Sequence, residues 1–413
     1  MDQLREEVNP VFHTAESCLL VNAQLGDTDA ARILEHLEFY KKVSKSDETN
    51  MTPEMREFVA HSLNPGFNAM VEARFGSSSR LILESGYRRV VDLPCGYTPR
   101  GIKLANTSLR YYGLDLPAVI DEMAGAVEQE IGKNKRISYR AVDATNYDSL
   151  KQALRDAEGP LLITTEGMLM YFIQTELDEV FRNIRSLLLE YGGEWVTSDN
   201  EMLAAQNRLM TCLLDNDPEE MEKLRKFTEE RIAKAAPPGN EFLRVQAVSY
   251  VEDMGFDLTK VPVFDYLPEP LHALSAFSEE KQKAARETFR EMYFWVMTPN
   301  RDESLPFMQE GESYRLSAEV HGSRFFVSVS GRLDTITAPE FLSVFRKASE
   351  KTAISRITID MDGLSYLSSA GLRALMIMRK TVKDPSGFRI VRACREVKDI
   401  IMNAGLEEFL NIR

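Results

Sequence analysis

The chain has 413 residues, a formal net charge of −14 and 44% apolar residues, enough for two domains of ordinary size, each with its own core. It contains no run of eighteen apolar residues, so no transmembrane helix is expected, and the opening MDQLREEVNP lacks the basic start and apolar stretch of a signal peptide. The four cysteines, Cys18, Cys95, Cys212 and Cys394, form no CxxC pair, which fits reduced thiols in a cytoplasm and argues against a zinc site.

In chain order, residues 51–70 read as helical. Residues 89–93 (RVVDL) form a short apolar strand, followed by a glycine turn, PCGYTPRG. Further strands are expected at 109–114, 137–142, 161–165 and 194–198, and the last two at 256–263 and 292–297. Between them, Leu177, Val180, Phe181, Ile184, Leu187 and Leu188 make a stripe at helical spacing. Strand–helix alternation gives a parallel sheet with helices on both faces, and such sheets bind ligands at the C-terminal ends of their strands. An acid stands at three successive strand ends. Asp115 lies 22 residues beyond Leu93, a spacing suited to the two hydroxyls of a ribose. Asp143 follows the third strand, and Glu166 with Gly167 the fourth. Each acid alone can be a surface cap; the three together point to a site. Residues 200–235 read as helical and rich in Met (Met202, Met210, Met221), as adaptable core or as an acceptor groove, and PPG at 237–239 ends them.

The segments VVDLPCGYTPRGIKL, YYGLDLPAVI and TTEGMLMYF resemble the leucine carboxyl methyltransferase family over about residues 50–300. In the family turn LGAGxDTR, Leu93, Gly96 and Arg100 match, while Pro94 replaces the first glycine and Thr98 the acid. The resemblance implies a Rossmann-like seven-stranded sheet with helical caps and S-adenosylmethionine as cofactor. It implies that Gly96 lies under the methionine part, with Cys95 and Arg100 in the same turn. Asp115 would take the ribose, Asp143 with Ala144 the adenine side, and Glu166 and Tyr171 the EGxxxY-like segment. Arg74 would grip the cofactor carboxylate. The acceptor is a small molecule or a protein. None of the five histidines (His13, His36, His61, His272, His321) stands beside these motifs, which favours a carboxylate acceptor, needing no base, over a hydroxyl. No catalytic residue is singled out, and no metal is expected.

The tail differs in charge. From Ser313 onward sixteen Lys/Arg face eleven Asp/Glu, a balance of +5, so the remainder carries −19 and is a poor fit to nucleic acid. The basic surface is either simply solvated or a docking face for an acidic partner. Residues 325–331 read as a strand. Thr337-Ala-Pro-Glu340 reads as a capping box, with helical positions at Phe341, Val344, Phe345 and Ala348. IDMDGLSYLSSAGLRALMIM reads as a buried strand, a tight turn with Ser368 and Ser369, and an amphipathic helix. Val397, Ile400, Ile401 and Ala404 mark the last helix, which Gly405 stops. A serine at a helix start is a cap, or a phosphate acceptor favoured by the helix dipole. GRLDTITAPEF followed by LSYLSSAGLRAL resembles the STAS domain of anti-sigma factor antagonists. That resemblance implies phosphorylation of Ser369 by a partner serine kinase, and an anti-sigma-type partner. Ser368 takes the place of an Asp that many members carry. Ser369 is expected both to cap its helix and to accept phosphate.

The sequence therefore predicts an α/β protein: a methyltransferase-like domain at 1–300, a linker at 301–312 and a STAS domain at 313–413. The expected function is S-adenosylmethionine-dependent O-methyl transfer tied to serine phosphorylation, in the cytoplasm, with neither nucleic acid nor membrane as a partner. The alternative is a non-catalytic cofactor sensor or scaffold in a partner-switching pathway.

Overall fold

Short apolar runs separated by amphipathic helices build the first unit, Met1–Pro299; the second is Asn300–Arg413. The computed structural model describes residues 15–46, 50–52, 55–56, 58–59, 64–213, 240, 242, 247–300, 307–311, 314–321, 323–383 and 387–412. The stretch 214–239, with Met221 and the PPG sequence, lies outside the described residues. Among the described residues no helix is long and apolar enough to cross a membrane.

Among the described residues the first unit holds seven strands: β1 Arg89–Asp92, β2 Arg110–Asp115, β3 Ile137–Ala141, β4 Leu161–Thr165, β5 Gly193–Thr197, β6 Phe256–Pro262 and β7 Tyr293–Pro299. Their order is β3-β2-β1-β4-β5-β7-β6. The first five run parallel, and β7 enters antiparallel between β5 and β6. The central strands are mostly apolar and buried, as a sheet covered on both faces requires: β4 is buried at every position. The helix Gln174–Tyr191 lays its six-residue stripe on one face, where Phe181 meets Trp195 edge-on at 4.6 Å. The helix Pro65–Glu84 covers the other face with Ala69, Met70, Ala73 and Ile82. The strand order reverses at β1, with β2 on one side and β4 on the other. The C-terminal ends of these strands are therefore where a crevice forms.

The second unit holds β8 Phe307–Gly311, β9 Tyr314–His321, β10 Arg324–Leu333, β11 Arg356–Asp360, β12 Leu364–Leu367 and β13 Phe388–Val391. The order is β13-β11-β10-β9-β8, and β12 pairs parallel with the end of β10. The helices Thr337–Lys351, Ser369–Thr381 and Arg395–Asn403 complete it, with Phe341, Phe345, Leu375, Met378 and Val397 in the core.

Three expectations change. Residues 307–311, read as linker, form β8 and pair antiparallel with β9. The expected capping box at Thr337–Glu340 does not cap its helix. Asp334 does so instead: its Oδ1 accepts the N–H groups of Ile336 and Thr337 at 2.9 and 3.3 Å, and its carbonyl takes the Ala338 N–H at 2.9 Å. The Thr337 hydroxyl instead donates to the Arg332 carbonyl at 2.7 Å. The serine turn likewise divides its labour. Ser368, not Ser369, is the N-cap, its Oγ accepting the Gly371 N–H at 3.3 Å. Gly405 does end the last helix, at φ 66°, with its N–H on the Met402 carbonyl at 2.8 Å.

Replacing Ser368 by Ala removes that cap and should cost about 1 kcal/mol of second-unit stability. Ser369→Ala should cost much less. Urea unfolding followed by a probe in the second unit measures both.

Candidate functional site

Four strand ends and one helix build the site. After β1, the Leu93–Pro94 peptide is cis, and the chain turns through Cys95 and Gly96. Gly96 has φ 49°, in the left-handed region that glycine enters at no steric cost. Its N–H donates to Asp115 Oδ2 at 2.7 Å, and the Leu116 N–H donates to Oδ1 at 2.7 Å. The first of these bonds joins the turn after β1 to the end of β2, and the second fixes the carboxylate against its own backbone. Asp115 is 7% exposed, and burial pushes its pKa from 3.8 to about 6 against the two amides that favour its charge. Cys95 points inward; it is 1% exposed, and burial raises its thiol pKa. It is a turn residue with a protonated thiol rather than a nucleophile.

Arg100 is a correction. Expected among the cofactor contacts, it is 1% exposed, and both its terminal nitrogens are bonded to protein groups. Its Nη1 pairs with Asp92 Oδ2 at 2.7 Å, and its Nη2 with Glu166 Oε1 at 2.7 Å and Ser78 Oγ at 2.8 Å. The guanidinium stacks 5.2 Å from the Phe75 ring centroid. It is a brace joining β1, the turn after β4 and the helix Pro65–Glu84. Burial would raise the Glu166 pKa, but Arg100 and Arg74 outweigh it and hold the carboxylate below its usual range.

Arg74, on the same helix, is only partly used. Its Nε lies 3.4 Å from Glu166 Oε2 without a hydrogen bond. Its Nη1 donates to Met202 Sδ at 2.9 Å, and its Nη2 lies 4.0 Å from Cys18 Sγ, both weak acceptors. This leaves a guanidinium rich in donors and short of oxygen acceptors. Tyr171 ends the 3-10 turn Leu169–Tyr171, within electrostatic reach of Arg74.

Asp143 and Ala144 follow β3 beside Asp115, and the Val142 N–H donates to the Asp115 carbonyl at 2.7 Å. Asp143 is exposed, and its Oδ1 takes the Thr145 N–H at 2.9 Å and hydroxyl at 2.6 Å. Ala144 is 9% exposed, and its carbonyl accepts from Asn183 Nδ2 at 3.0 Å. The described residues therefore link Gly96 with Asp115, and Arg74 with Glu166 and Arg100. Asp143 shares the strand-end rim, its carboxylate turned to Thr145.

Sequence reasoning missed two acids. Asp92 sits at the end of β1, 1% exposed, and takes Tyr111 Oη at 2.9 Å and Thr164 Oγ1 at 3.1 Å besides Arg100. Asp199 follows β5, wholly buried, and accepts the N–H groups of Gly167, Met168 and Leu169 at 2.6, 2.9 and 2.9 Å. It thereby holds the loop that carries Glu166 and Tyr171. The signal was present: Asp199 obeys the rule of an acid at a strand end that singled out Asp115, Asp143 and Glu166.

With this geometry the family comparisons agree. Residues 19–185 match the leucine carboxyl methyltransferase family model, and residues 315–413 match the STAS domain model. The chain thus joins a segment similar to the leucine carboxyl methyltransferase family to one similar to the STAS domain. Among solved structures it is similar to a DUF574 family protein from Streptomyces avermitilis, with 16% identity, covering 66% of this chain and 97% of that one at TM-score 0.38. An anti-sigma factor antagonist from Mycobacterium paratuberculosis is 24% identical, covering 25% of this chain and 88% of that one at TM-score 0.23. A magnesium protoporphyrin IX methyltransferase from Synechocystis with bound SAH is 10% identical, covering 67% and 96% at TM-score 0.32.

In the STAS domain, Ser369 is exposed at the first position of its 13-residue helix. The turn is tightly seated: the Ser368 N–H donates to the Leu333 carbonyl at 2.9 Å, and a Cβ on Gly371 would come within 2.7 Å of that carbonyl oxygen. Tyr366 is 38% exposed, with Arg332 4.1 Å over its ring, and Ile336 is 76% exposed.

Replacing Arg100 by Met should cost about 3–5 kcal/mol, because Asp92 and Glu166 keep buried charge without their cation. Urea unfolding of the first unit checks this. Arg100→Lys should recover only part, since one ammonium lacks the planar fork that spans three acceptors.

Proposed function

We propose that the methyltransferase-like unit binds S-adenosylmethionine and transfers its methyl group to an oxygen acceptor, and that the STAS domain carries a phosphorylatable Ser369. The observation that carries the first part is the Gly96–Asp115 bond. It brings a left-handed glycine and a buried carboxylate together at the strand-order reversal of a methyltransferase-family segment. In this reading Asp115 receives the ribose hydroxyls, the Gly96 backbone lies under the methionine part, and Arg74 offers its under-used donors to the cofactor carboxylate. Glu166 orients Arg74, Tyr171 closes the same side, and Asp143 with Ala144 borders the adenine. The magnesium protoporphyrin IX methyltransferase with bound SAH supports the choice of cofactor by analogy.

The cofactor supplies an activated sulfonium methyl, so the protein's work is placement. Holding an acceptor in line with the methyl is worth roughly 7–11 kcal/mol. A carboxylate acceptor requires no base, and among the described residues no histidine is bonded to a cofactor-site residue.

The Ser369 part rests on exposure and on division of labour. Since Ser368 satisfies the helix end, the Ser369 hydroxyl is left on the surface. A phosphate there adds about −1.5 to −2 charges beside a helix N-terminus, which favours them. The helix stays folded and the charge of the docking face changes, where like-charge contacts cost several kcal/mol.

Asp115 gives the cofactor reading a pH signature. Its folded pKa is raised from 3.8 to about 6, so the folded protein keeps a proton over that interval that the unfolded chain has lost. Burying the charge therefore costs stability as pH rises through that interval, while ribose hydroxyls donate best to the ionised form. Calorimetric affinity for S-adenosylmethionine should rise from pH 5 to pH 7 with a midpoint near 6. Asp115→Asn should flatten the profile and weaken binding by roughly ten- to a hundredfold. No heat of binding in the wild type at any pH would defeat the reading.

Labelling by a cognate serine kinase should be lost in Ser369→Ala and kept in Ser368→Ala. Label retained in Ser369→Ala would refute the site.

A further inference from the structure

The same sheet carries a second charged cluster, away from the glycine turn. Arg89 and Arg110 open β1 and β2, at the N-terminal ends of the strands whose far ends carry Gly96 and Asp115. The strand register sets them side by side. Arg140 sits further along β3, in register with Leu114, and its side chain reaches back to the same carboxylate as Arg110. All three reach the turn between the helix Tyr147–Ala153 and β4, where the Asp156 carboxylate pairs with Arg110 and Arg140. Arg140 grips Asp156 with both terminal nitrogens, at 2.6 and 2.9 Å, and Arg110 Nη2 approaches Oδ2 at 2.5 Å. Both guanidinium groups lie over the Tyr112 ring, 5.4 and 5.3 Å from its centroid. Arg89 borders the same turn, with its Nη1 3.5 Å from the place a Cβ on Gly159 would occupy. Among the described residues its guanidinium has no hydrogen bond or ion pair.

Three features distinguish this from an ordinary surface ion pair. First, the balance is uneven: Asp156 pairs with Arg110 and Arg140, and Arg89 stands beside them unpaired among the described residues, leaving two positive charges in excess in a part of the chain that carries −19 overall. Second, the cations are held in place. Asp156 and the Tyr112 ring fix the planes of Arg110 and Arg140, so much of the side-chain ordering that ligand binding demands is already done. Third, the groups remain open to solvent, with 36% of the Arg110 side chain, 21% of Arg140 and 38% of Asp156 exposed. The Asp156 pKa lies below the usual range, chiefly through its bonds to Arg140 and then through both cations, so its charge persists and the local excess stays at two. Guanidinium forks match the oxygens of tetrahedral oxyanions in pairs.

We propose that Arg89, Arg110 and Arg140 form a binding site for a dianionic phosphate group, free or carried by a small-molecule monoester. Asp156 orients two of the cations, and Arg89 supplies the charge that no protein group uses. The site is separate from the cofactor crevice and does not depend on the methyltransferase reading.

The test uses the full chain at constant ionic strength, replacing chloride by inorganic phosphate, and reads thermal unfolding of the first unit together with titration calorimetry. The wild type should show saturable binding and stabilisation by phosphate beyond that given by chloride. Arg89→Ala breaks no bond in the structure, so its unfolding temperature without phosphate should match the wild type while its phosphate affinity falls at least tenfold. Arg155→Ala, an exposed arginine on the same turn, should bind as the wild type does. Glycerol phosphate and a nucleoside monophosphate identify the source: tighter binding than phosphate assigns the site to a monoester, and equal or weaker binding assigns it to the free ion. No phosphate effect beyond chloride, or an equal effect in wild type and Arg89→Ala, would overturn the proposal.

Discussion

A single buried cation organises the first unit. Arg100 is almost wholly removed from water, yet it is charged, and it survives because Asp92, Glu166 and Ser78 meet it at hydrogen-bond distance. Desolvating three charged groups is expensive, so such a cluster contributes little net stability against a well-packed apolar alternative. What it supplies is geometry. It fixes the chain after the glycine turn to the ends of β1 and β4 and to the long helix that carries Arg74. Glu166, and through it Arg74, takes its place from this tie.

The two halves of the crevice are built by different physics. On one side, Asp115 is held by backbone amides and pays for burial with a raised pKa; no cation neutralises it. On the other, Glu166 lies between two arginines and stays ionised. The proposed cofactor, with hydroxyls at one end and a carboxylate at the other, would suit that polarity: Asp115 would take donors, and the under-used Arg74 the anion. Asp199 supports the second half from below, since three amides of the Glu166 loop end on its carboxylate.

Much of this was legible in the sequence, for physical reasons. The strands announced themselves because a doubly covered parallel sheet needs unbroken apolar runs, and Asp115 and Glu166 because strand ends are where such sheets place their polar groups. What stayed hidden depended on partners distant in sequence. β8 is a strand because β9 offers it an edge, and β12 because β10 bends between Gly331 and Arg332 and exposes a parallel one. The turn motif identified Arg100 but not its direction, which is set by Ser78 and Asp92 from other elements. Whether Ser368 or Ser369 caps the helix is a shift of one residue, and only the backbone geometry decides it.

What occupies the crevice decides the function of the first unit. A crystal structure of the full chain with S-adenosylhomocysteine tests it most directly. The account predicts the ribose hydroxyls on the Asp115 carboxylate, the amino-acid part over Gly96 with its carboxylate on Arg74, and Arg100 unmoved in its three-way tie. A ligand seated elsewhere, or a crevice that stays empty at saturating ligand, would contradict it.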